Sequence, residues 1–158
     1  MNDDSRASEI ILIYIFTGLR ANELLNIPRE KIYINEKYPY LIAGSKTKTS
    51  KNRLIPIHPF IKPWIIEHIL VESSRIIDIS YPTFVNRHFN FVMNRLNMSH
   101  KMHDTRDTFA TLCQTNNVDI FARKRILGHK FKDLTFDTYT DTDIEDLYKE
   151  ILKIKVPN

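Results

Sequence analysis

The hydrophobic period of this 158-residue chain changes twice, and this change constrains the fold more than any other feature. Apolar residues recur at helical spacing before residue 28 and again after Pro59, whereas residues 31–58 hold short β-branched or aromatic runs. Polar turns separate the three runs KIYI, YLIAG and RLIPIH, as in antiparallel strands. Pro56 lacks a backbone N–H, so we expect the last run to be an edge strand or to contain a bulge. The sequence therefore predicts a mainly α-helical fold with a small antiparallel β-sheet of three short strands near the N-terminal third.

Residues that commonly begin or end helices divide the helical parts of the chain. Ser8 is a suitable N-cap for the segment EIILIYIF, and Gly18 is expected to end that helix. A second helix, RANELLNI, should stop at Pro28. Further helices are expected in TRDTFATLCQ, in VDIFARKRIL up to Gly128, and along two apolar faces, Ile61, Trp64, Ile65 and Ile69, then Val85, Phe89, Val92 and Leu96.

The last predicted helix, residues 143–155, is amphipathic. Thr142 and Glu145 have the spacing of a capping box at its start. Its apolar residues share one stripe: Ile144, Leu147, Tyr148 and Ile151. This stripe can pack on a neighbouring copy of the chain or on the core of its own chain, and the sequence leaves both alternatives open.

Length and composition indicate one globular domain over residues 1–158. With three glycines and no GxGxxG or GxxxxGK[ST] motif, the chain is not expected to bind a nucleotide cofactor. The single cysteine, Cys113, excludes an internal disulfide and is expected to be a small buried residue. A net charge of +4 is compatible with a polyanionic partner but does not identify one.

Neither a signal peptide nor a membrane span is expected. The first residues, MNDDSRASE, are polar and acidic rather than basic and apolar. The longest apolar run, IILIYIF at residues 10–16, is too short to cross a bilayer. The sequence therefore predicts a cytoplasmic protein.

Two polar clusters lie in the first third of the chain. In TGLRANE, Arg20 and Glu23 are three residues apart at a helix start and face the same way, which is also the pattern of an ordinary surface ion pair. In SKTKTSKN, a basic turn between two predicted strands, Lys46, Lys48 and Lys51 either form a solvated hairpin tip or reach a DNA groove or a phosphate.

Two further clusters lie in the second half. In MHDTRDTFATL, His103 and Arg106 are expected to share a helix face, and Asp104 and Asp107 can simply favour a helix N-terminus. In ILGHKFKDLTFDTYT, the Gly-His pair ending at residue 129 precedes a tyrosine by ten residues. Considered alone, His129 would be a cation at a helix end, and Tyr139 would be a half-buried residue with a packing role.

Taken together, the four clusters hold the groups that phosphoryl transfer needs. Arginine offers a planar, permanently charged fork for the non-bridging oxygens of a phosphodiester. A phenol can act as a nucleophile through a covalent intermediate, but its ordinary pKa near 10 requires a neighbouring base or a positive field. A lysine from a mobile loop can protonate the departing oxygen.

The order GLR, a lysine in a β-turn, HDTR, LGH and a tyrosine ten residues on resembles the catalytic domain of the tyrosine recombinase (phage integrase) family. The resemblance spans about residues 8–150. It implies the following correspondence: Arg20 and Arg106 are the two catalytic arginines, His103 is the histidine of the H-x-x-R pair, His129 is the second histidine, Tyr139 is the nucleophile and Glu23 is the acidic companion of Arg20. The family places its lysine eight residues before the proline of the following strand, which is Lys48 here, with Lys46 and Lys51 as alternatives.

The resemblance also implies a mechanism. Tyr139 attacks a phosphate of double-stranded DNA, which leaves a 3′-phosphotyrosyl link and a free 5′-hydroxyl. Arg20, Arg106 and His129 hold the non-bridging oxygens. Lys48 protonates the 5′ oxygen, and His103 assists proton transfer at the tyrosine. A 5′-hydroxyl of a partner duplex reverses the step, so neither metal nor ATP is required, and four protomers act on two sites.

Two departures from the family bear on this interpretation. Asp107 stands where the family often has a basic or imidazole residue. The N-terminal core-binding and arm-binding domains of the family are not found before Ser8, so we expect either an excised catalytic domain or a truncated gene.

Three alternatives stay open at this point. The first is a type IB topoisomerase, which relaxes supercoils with the same chemistry, and the second is an inactive DNA-binding prophage remnant. The third is a metal-dependent nuclease, whose ligands would be His100, His103, Asp104 and His129, although these lack a compact ligand spacing such as HExxH.

Overall fold

The computed structural model describes residues 3–44, 52–70, 75, 79–129 and 143–156. Its helices and strands, in chain order, are α1 Asp3–Thr17, α2 Ala21–Leu24, the 3₁₀ turn Arg29–Lys31, β1 Ile32–Tyr33, β2 Tyr40–Ala43, β3 Arg53–Pro56, α3 Lys62–Leu70, α4 Tyr81–Thr83, the π-helical turn Phe84–Phe89, α5 Asn90–Arg95, α6 Asp104–Thr115, α7 Ile120–Leu127 and α8 Ile144–Ile151. The mainly helical fold with three short strands is confirmed.

The first helix begins earlier than the sequence predicted. It already includes Asp3, so Ser8 lies inside the helix and is not its N-cap, which corrects the prediction. The cause is that Ala7, Glu9 and Ile10 are all buried, so the core extends along the helix beyond the apolar run. Gly18 ends α1 as predicted, with its N–H donating to the carbonyl of Tyr14 at 2.9 Å and a left-handed φ of +61°.

The sheet has the predicted order and direction. The strands run β1-β2-β3, each antiparallel to its neighbour. Tyr40 pairs with Tyr33 on one side and with Pro56 on the other. β3 is an edge strand of this described sheet, as Pro56 indicated.

Helix α1 lies at the centre of the hydrophobic core. Its residues Ile13 and Tyr14 are fully buried, and it packs against α6 and the π-helical turn. The ring of Tyr14 lies 6.1 Å from that of Phe84. Cys113, on α6, is a buried free thiol, as predicted.

Among the side chains that the structure describes, those on the predicted apolar faces after the sheet are buried or half-buried, except that of Leu96. Ile61 and Ile65 are fully buried at the start of α3, and Phe89 and Val92 are buried further along. Leu96 is 58% exposed, because α5 ends at Arg95 and the chain turns there. Its assignment to the buried face was therefore wrong.

The last helix, α8, packs on its own chain. Leu147 and Ile151 are buried, and the helix lies against β3 and α7. Its N-cap is Asp143, whose side chain accepts from the N–H of Glu145 at 3.3 Å. Asp143 thus holds the N-cap position, and Thr142, the other residue of the predicted capping box, lies outside the described residues. None of the helices in the described residues combines the length and apolar character needed to span a bilayer.

A buried histidine makes the fold sensitive to acid. His68 on α3 is 3% exposed, and its Nε2 lies 4.0 Å from Oε2 of Glu9 on α1, too far for a hydrogen bond. Burial, followed by the charge of Arg6, lowers the pKa of His68 to about 4. In the unfolded chain this pKa is about 6.5. Between these values the unfolded chain binds a proton that the folded chain does not, so stability falls as the pH decreases.

We therefore expect the free energy of unfolding to fall by about 1 to 3 kcal/mol between about pH 6.5 and about pH 4 through His68. Urea unfolding of the wild-type chain and of His68→Leu across this range measures the effect. The variant should show a shallower pH dependence, and equal slopes would contradict the assignment.

Candidate active site

Arg20 is positioned by the turn that ends α1. A Cβ at Gly18 would lie 2.4 Å from Cδ1 of Phe109, so the helix can end this close to α6 only at glycine. Leu19 is buried, and Arg20 then starts α2 in an extended conformation, with φ −70° and ψ 151°. The Arg20 side chain is 41% exposed, so its guanidinium can reach a ligand in solution.

Glu23 holds Arg20 in this position. Its Oε1 accepts from Nη1 of Arg20 at 3.1 Å, and its Oε2 accepts from the backbone N–H of Arg20 at 2.8 Å. The expected ion pair is present, but it is part of a larger cluster, because Arg53 also donates to this carboxylate. Burial alone would raise the pKa of Glu23, but the hydrogen bonds and charge of Arg53, together with the hydrogen bonds of Arg20, outweigh it and lower that pKa.

Arg106 joins the ends of two helices. It projects from α6 and is 5% exposed. Its Nη1 donates to the carbonyl of Gly18 at 2.7 Å, and its Nη2 donates to the carbonyl of Leu127. Burial, and then the positive charges of Arg20 and Arg53, lower the pKa of Arg106 to about 10. Arg106 therefore remains a cation at neutral pH.

His129 is fixed by the closure of α7. Gly128 adopts a left-handed φ of +66°, and the N–H of His129 donates to the carbonyl of Lys124 at 2.9 Å, the pattern of a Schellman motif. Desolvation, followed by the charges of Arg106 and Arg20, lowers the pKa of His129. A lowered pKa favours the neutral ring at pH 7, which can donate one hydrogen bond, over the alternative of a helix-end cation.

The structure thus brings together three of the predicted site residues. Arg20, Arg106 and His129 stand at the ends of different helices, and their charges act on one another. His103 differs from this group. It is the N-cap residue of α6, its side chain is 74% exposed, and its Nε2 lies 3.8 Å from Oδ1 of Asp107. The predicted shared face of His103 and Arg106 is therefore wrong, because one side chain faces solvent and the other is buried.

The remaining predicted residues lie outside the described part of the chain. These are Lys48 with its alternatives Lys46 and Lys51, and Tyr139. Their assignments stay predictions.

The structure adds one charged residue that the sequence analysis did not single out. Arg53 on β3 is 7% exposed. Along this strand Arg53 and Ile55 are buried while Leu54 between them is half-buried, so Arg53 follows the inward phase of the strand. An arginine at an inward position of a predicted strand was the available signal, since buried charges require partners.

This arrangement can bind a phosphate. Among the described residues, the positive charges of Arg20, Arg53 and Arg106 exceed the negative charges of Glu23 and Asp107 that act on them. Arg20, Arg106 and the His129 ring supply N–H donors. As for metals, the described residues contain no group of three His, Cys, Asp or Glu side chains able to hold an ion. His100 and Asp104, two of the ligands considered for a nuclease, instead hydrogen bond to each other at 3.1 Å.

Comparison with known proteins agrees with this geometry. The model of the phage integrase family matches residues 2–145. The chain belongs to this family. The match covers α1 to α7 and the start of α8. The arginine cluster, formed by Arg20, Arg53 and Arg106, therefore lies inside it.

The chain matches part of the length of each of three curated relatives. Tyrosine recombinase XerA of Saccharolobus solfataricus is 29% identical over 147 residues, which cover 91% of this chain and 48% of the relative. XerA of Thermococcus kodakarensis is 27% identical, covering 93% and 55%. The integrase of Haemophilus phage HP1 is 27% identical, covering 84% and 37%. The chain therefore spans about half the length of the curated relatives it matches, or less.

A solved structure shares the fold. The crystal structure of the XerH site-specific recombinase bound to palindromic difH substrate, in a post-cleavage complex, matches with a TM-score of 0.60 and 23% sequence identity. The match covers 94% of this chain and 46% of that chain. The small sheet and the surrounding helices are thus the fold of a recombinase domain.

Proposed function

We propose that this chain is the DNA-cleaving domain of a site-specific recombinase, which breaks and rejoins DNA strands through a covalent 3′-phosphotyrosyl intermediate. The observation that carries the proposal is the joint placement of Arg20, Arg106 and His129 by the ends of α1, α6 and α7. The family match and the relatives named as tyrosine recombinases and an integrase support it.

The arginine cluster supplies the electrostatic part of the reaction. In the attack on a phosphodiester, negative charge builds on the two non-bridging oxygens. Arg20 is exposed enough to contact one of them, and its orientation is fixed by Glu23. Arg106 is buried and already hydrogen bonded, so it contributes mainly a fixed positive charge with its remaining N–H groups. His129, neutral at pH 7, donates a hydrogen bond to an oxygen.

The covalent step assigns roles to three further residues. The Tyr139 oxygen forms a bond to phosphorus, the bond from phosphorus to the 5′ oxygen breaks, and the 3′-phosphate remains on the protein. The proton lost by Tyr139 passes to solvent with the help of His103, and Lys48 gives a proton to the departing 5′ oxygen. Attack by a 5′-hydroxyl of a partner duplex reverses these bond changes. The free energy of the phosphodiester is conserved in the intermediate, so the reaction needs neither ATP nor a metal.

The partner is double-stranded DNA, and recombination requires assembly of four copies on two sites. In the free chain α8 lies on its own core, so a role for α8 in contacts between copies would require a different docking of this helix. We propose a monomer in the absence of DNA.

The test is a covalent trapping experiment in EDTA. The 158-residue chain is incubated with a pool of nicked duplexes whose sequence is randomised on both sides of the nick. A nick lets the short strand diffuse away after cleavage, so the intermediate accumulates. Adducts that survive SDS are digested, and the attached residue is identified by mass spectrometry.

An SDS-resistant adduct on Tyr139, formed without metal, is the expected result. Absence of any adduct is the result for an inactive remnant, and free ends that appear only with added metal are the result for a nuclease. Relaxation of a supercoiled plasmid without strand exchange between two duplexes indicates the topoisomerase-like alternative. Each of these three results would overturn the proposal.

Binding to DNA should weaken steeply with salt. Lysine and arginine side chains that neutralise phosphates release condensed counterions, so the affinity falls with increasing salt. A surface that covers about six phosphates loses about a thousandfold in affinity between about 50 mM and about 200 mM salt. Fluorescence anisotropy with a labelled random-sequence duplex measures this slope. An affinity that does not change with salt would contradict a DNA-binding face.

A further inference from the structure

Arg53 is a buried cation that the proposed reaction does not use. Its side chain is 5% exposed, although it lies on an edge strand where an outward position would have been open to solvent. Arginine is almost never this buried unless it is paired. The partners of Arg53 therefore indicate what it does.

The guanidinium of Arg53 binds two different parts of the site. Nη1 donates to Oε1 of Glu23 at 3.0 Å, and Nη2 donates to Oε2 at 2.6 Å. This two-pronged pairing fixes the plane of the carboxylate as well as its position. Nε donates to the carbonyl of Ile126 at 2.8 Å. Lysine, a single charged point on a flexible stem, cannot make all three bonds.

Through Glu23, Arg53 reaches the exposed arginine. Each oxygen of the Glu23 carboxylate accepts one bond from Arg53 and one from Arg20. Arg20 is half-exposed and therefore depends on this carboxylate for its direction. A rotation of the Glu23 carboxylate would break the hydrogen bonds that hold the backbone N–H and the guanidinium of Arg20.

Through Ile126, Arg53 reaches the end of α7. Ile126 lies in the last turn of that helix, three residues before His129. The next carbonyl along, that of Leu127, accepts from Arg106. Two buried arginines from different elements thus hold consecutive carbonyls of the turn that presents His129.

We propose that Arg53 is a positioning residue for the phosphate site, which sets the direction of Arg20 through Glu23 and the place of His129 through the carbonyl of Ile126. This role rests on the proposed function, because Arg20 and His129 are its phosphate-binding groups. Arg53 also lies five residues after Lys48 in the sequence.

The effect of removing Arg53 on Glu23 follows from the groups that face this carboxylate. They are Arg20 on α2, Arg53 on β3, Arg106 on α6 and the phenol of Tyr14 on α1. Arg53 gives the largest contributions that lower the pKa of Glu23, and they oppose burial, which raises it. Without Arg53 the pKa of Glu23 should rise, and Glu23 should release Arg20 as it becomes protonated.

The experiment compares Arg53→Met, Arg53→Lys and Glu23→Gln with the wild-type chain. The first readout is the titration of ¹³C-labelled glutamate side chains by NMR, in which the Glu23 signal is assigned as the one missing in Glu23→Gln. The second is the rate of adduct formation with the nicked duplexes as a function of pH. Arg75→Met, which removes an exposed arginine that donates to Asn26, controls for the loss of one positive charge.

We expect Arg53→Met to raise the pKa of Glu23 and to slow adduct formation about 100-fold, since displacements of about 1 Å at a reacting centre have effects of that size. The loss should grow as the pH decreases. Arg53→Lys should recover part of the rate, and combining Arg53→Met with Glu23→Gln should cost little more than Arg53→Met alone. A residue that only stabilised the fold would lower the rate equally at every pH.

A folded Arg53→Met variant with an unchanged Glu23 titration and the wild-type pH profile would overturn the proposal. If Arg53→Met does not fold, Arg53→Lys decides: a folded variant with slowed cleavage supports the role, and one with the wild-type rate overturns it. The NMR titration requires no DNA. A wild-type chain that forms no adduct, together with a raised Glu23 pKa in Arg53→Met, would therefore count against the recombinase function and leave the Arg53–Glu23 coupling standing.

Discussion

Tyr139→Phe should abolish the SDS-resistant DNA adduct while leaving the fold and the DNA affinity unchanged. Phenylalanine keeps the aromatic ring but lacks the oxygen that would form the proposed bond to phosphorus. The arginine, lysine and histidine side chains assigned to the site have no oxygen that could form this bond to phosphorus. The adduct should therefore fall below detection on a denaturing gel, whereas circular dichroism and anisotropy should match the wild-type chain.

The chain has seven tyrosines, so a matched control is needed. Tyr148 on α8 is suitable, because its ring packs against that of Tyr38 at 5.7 Å and removal of its hydroxyl should not affect cleavage. Tyr14 lies near the cluster but cannot act as the nucleophile. Its hydroxyl donates to the carbonyl of Ala21 at 2.6 Å, and burial raises its pKa. Retention of the adduct in Tyr139→Phe, or its loss in Tyr148→Phe, would show that the nucleophile is misassigned.

Gly18→Ala should destabilise the chain by about 3 kcal/mol or more, from overpacking and a left-handed backbone together. The new methyl group would lie 2.4 Å from Cδ1 and 2.9 Å from Cγ of Phe109, and 3.0 Å from Cδ2 of Leu127. Phe109 is fully buried and cannot move away without disturbing α6. Because α6 also carries Arg106, a shift of this helix should reduce the rate of adduct formation in the population that remains folded.

Urea unfolding measures the loss of stability, and Gly128→Ala is the control. Gly128 has nearly the same φ, +66° against +61°, so both substitutions carry a similar backbone cost. The excess loss at Gly18 then reports the collision with Phe109. Equal losses at the two positions would show that backbone strain alone accounts for the effect and that the helices are less closely packed than described.

The sequence predicted those parts of the fold that depend on local pattern. Gly18 and Gly128 end their helices because a left-handed residue at that point is a local requirement. The edge position of β3 could be predicted from Pro56, because proline lacks a backbone N–H. The start of α1 could not be predicted in this way. It depends on the burial of Ala7 and Glu9 against distant elements, which no spacing near Ser8 reveals.

The residue types of the site could be predicted from the sequence, but most of the hydrogen bonds that connect them could not. The spacing of Arg20 and Glu23 indicated their ion pair. The burial of Arg106 could not be read from its motif, because its acceptors are backbone carbonyls 88 and 21 positions away. His103 and Arg106 were expected on one face by helix geometry. The backbone of His103 is helical, with φ −66° and ψ −31°. In this first turn, however, the His103 side chain faces solvent beside Asp107, whereas the Arg106 side chain turns inward to two backbone carbonyls.

The two carbonyls that bind Arg106 belong to the C-terminal ends of α1 and α7. The macrodipole of a helix places about half a negative elementary charge at such an end. Two such ends together place about one negative elementary charge beside the guanidinium of Arg106, and the Glu23 carboxylate places another between Arg20 and Arg53. Among the described residues these negative groups offset much of the repulsion between the three arginines. The protein itself therefore holds the three guanidinium groups close together.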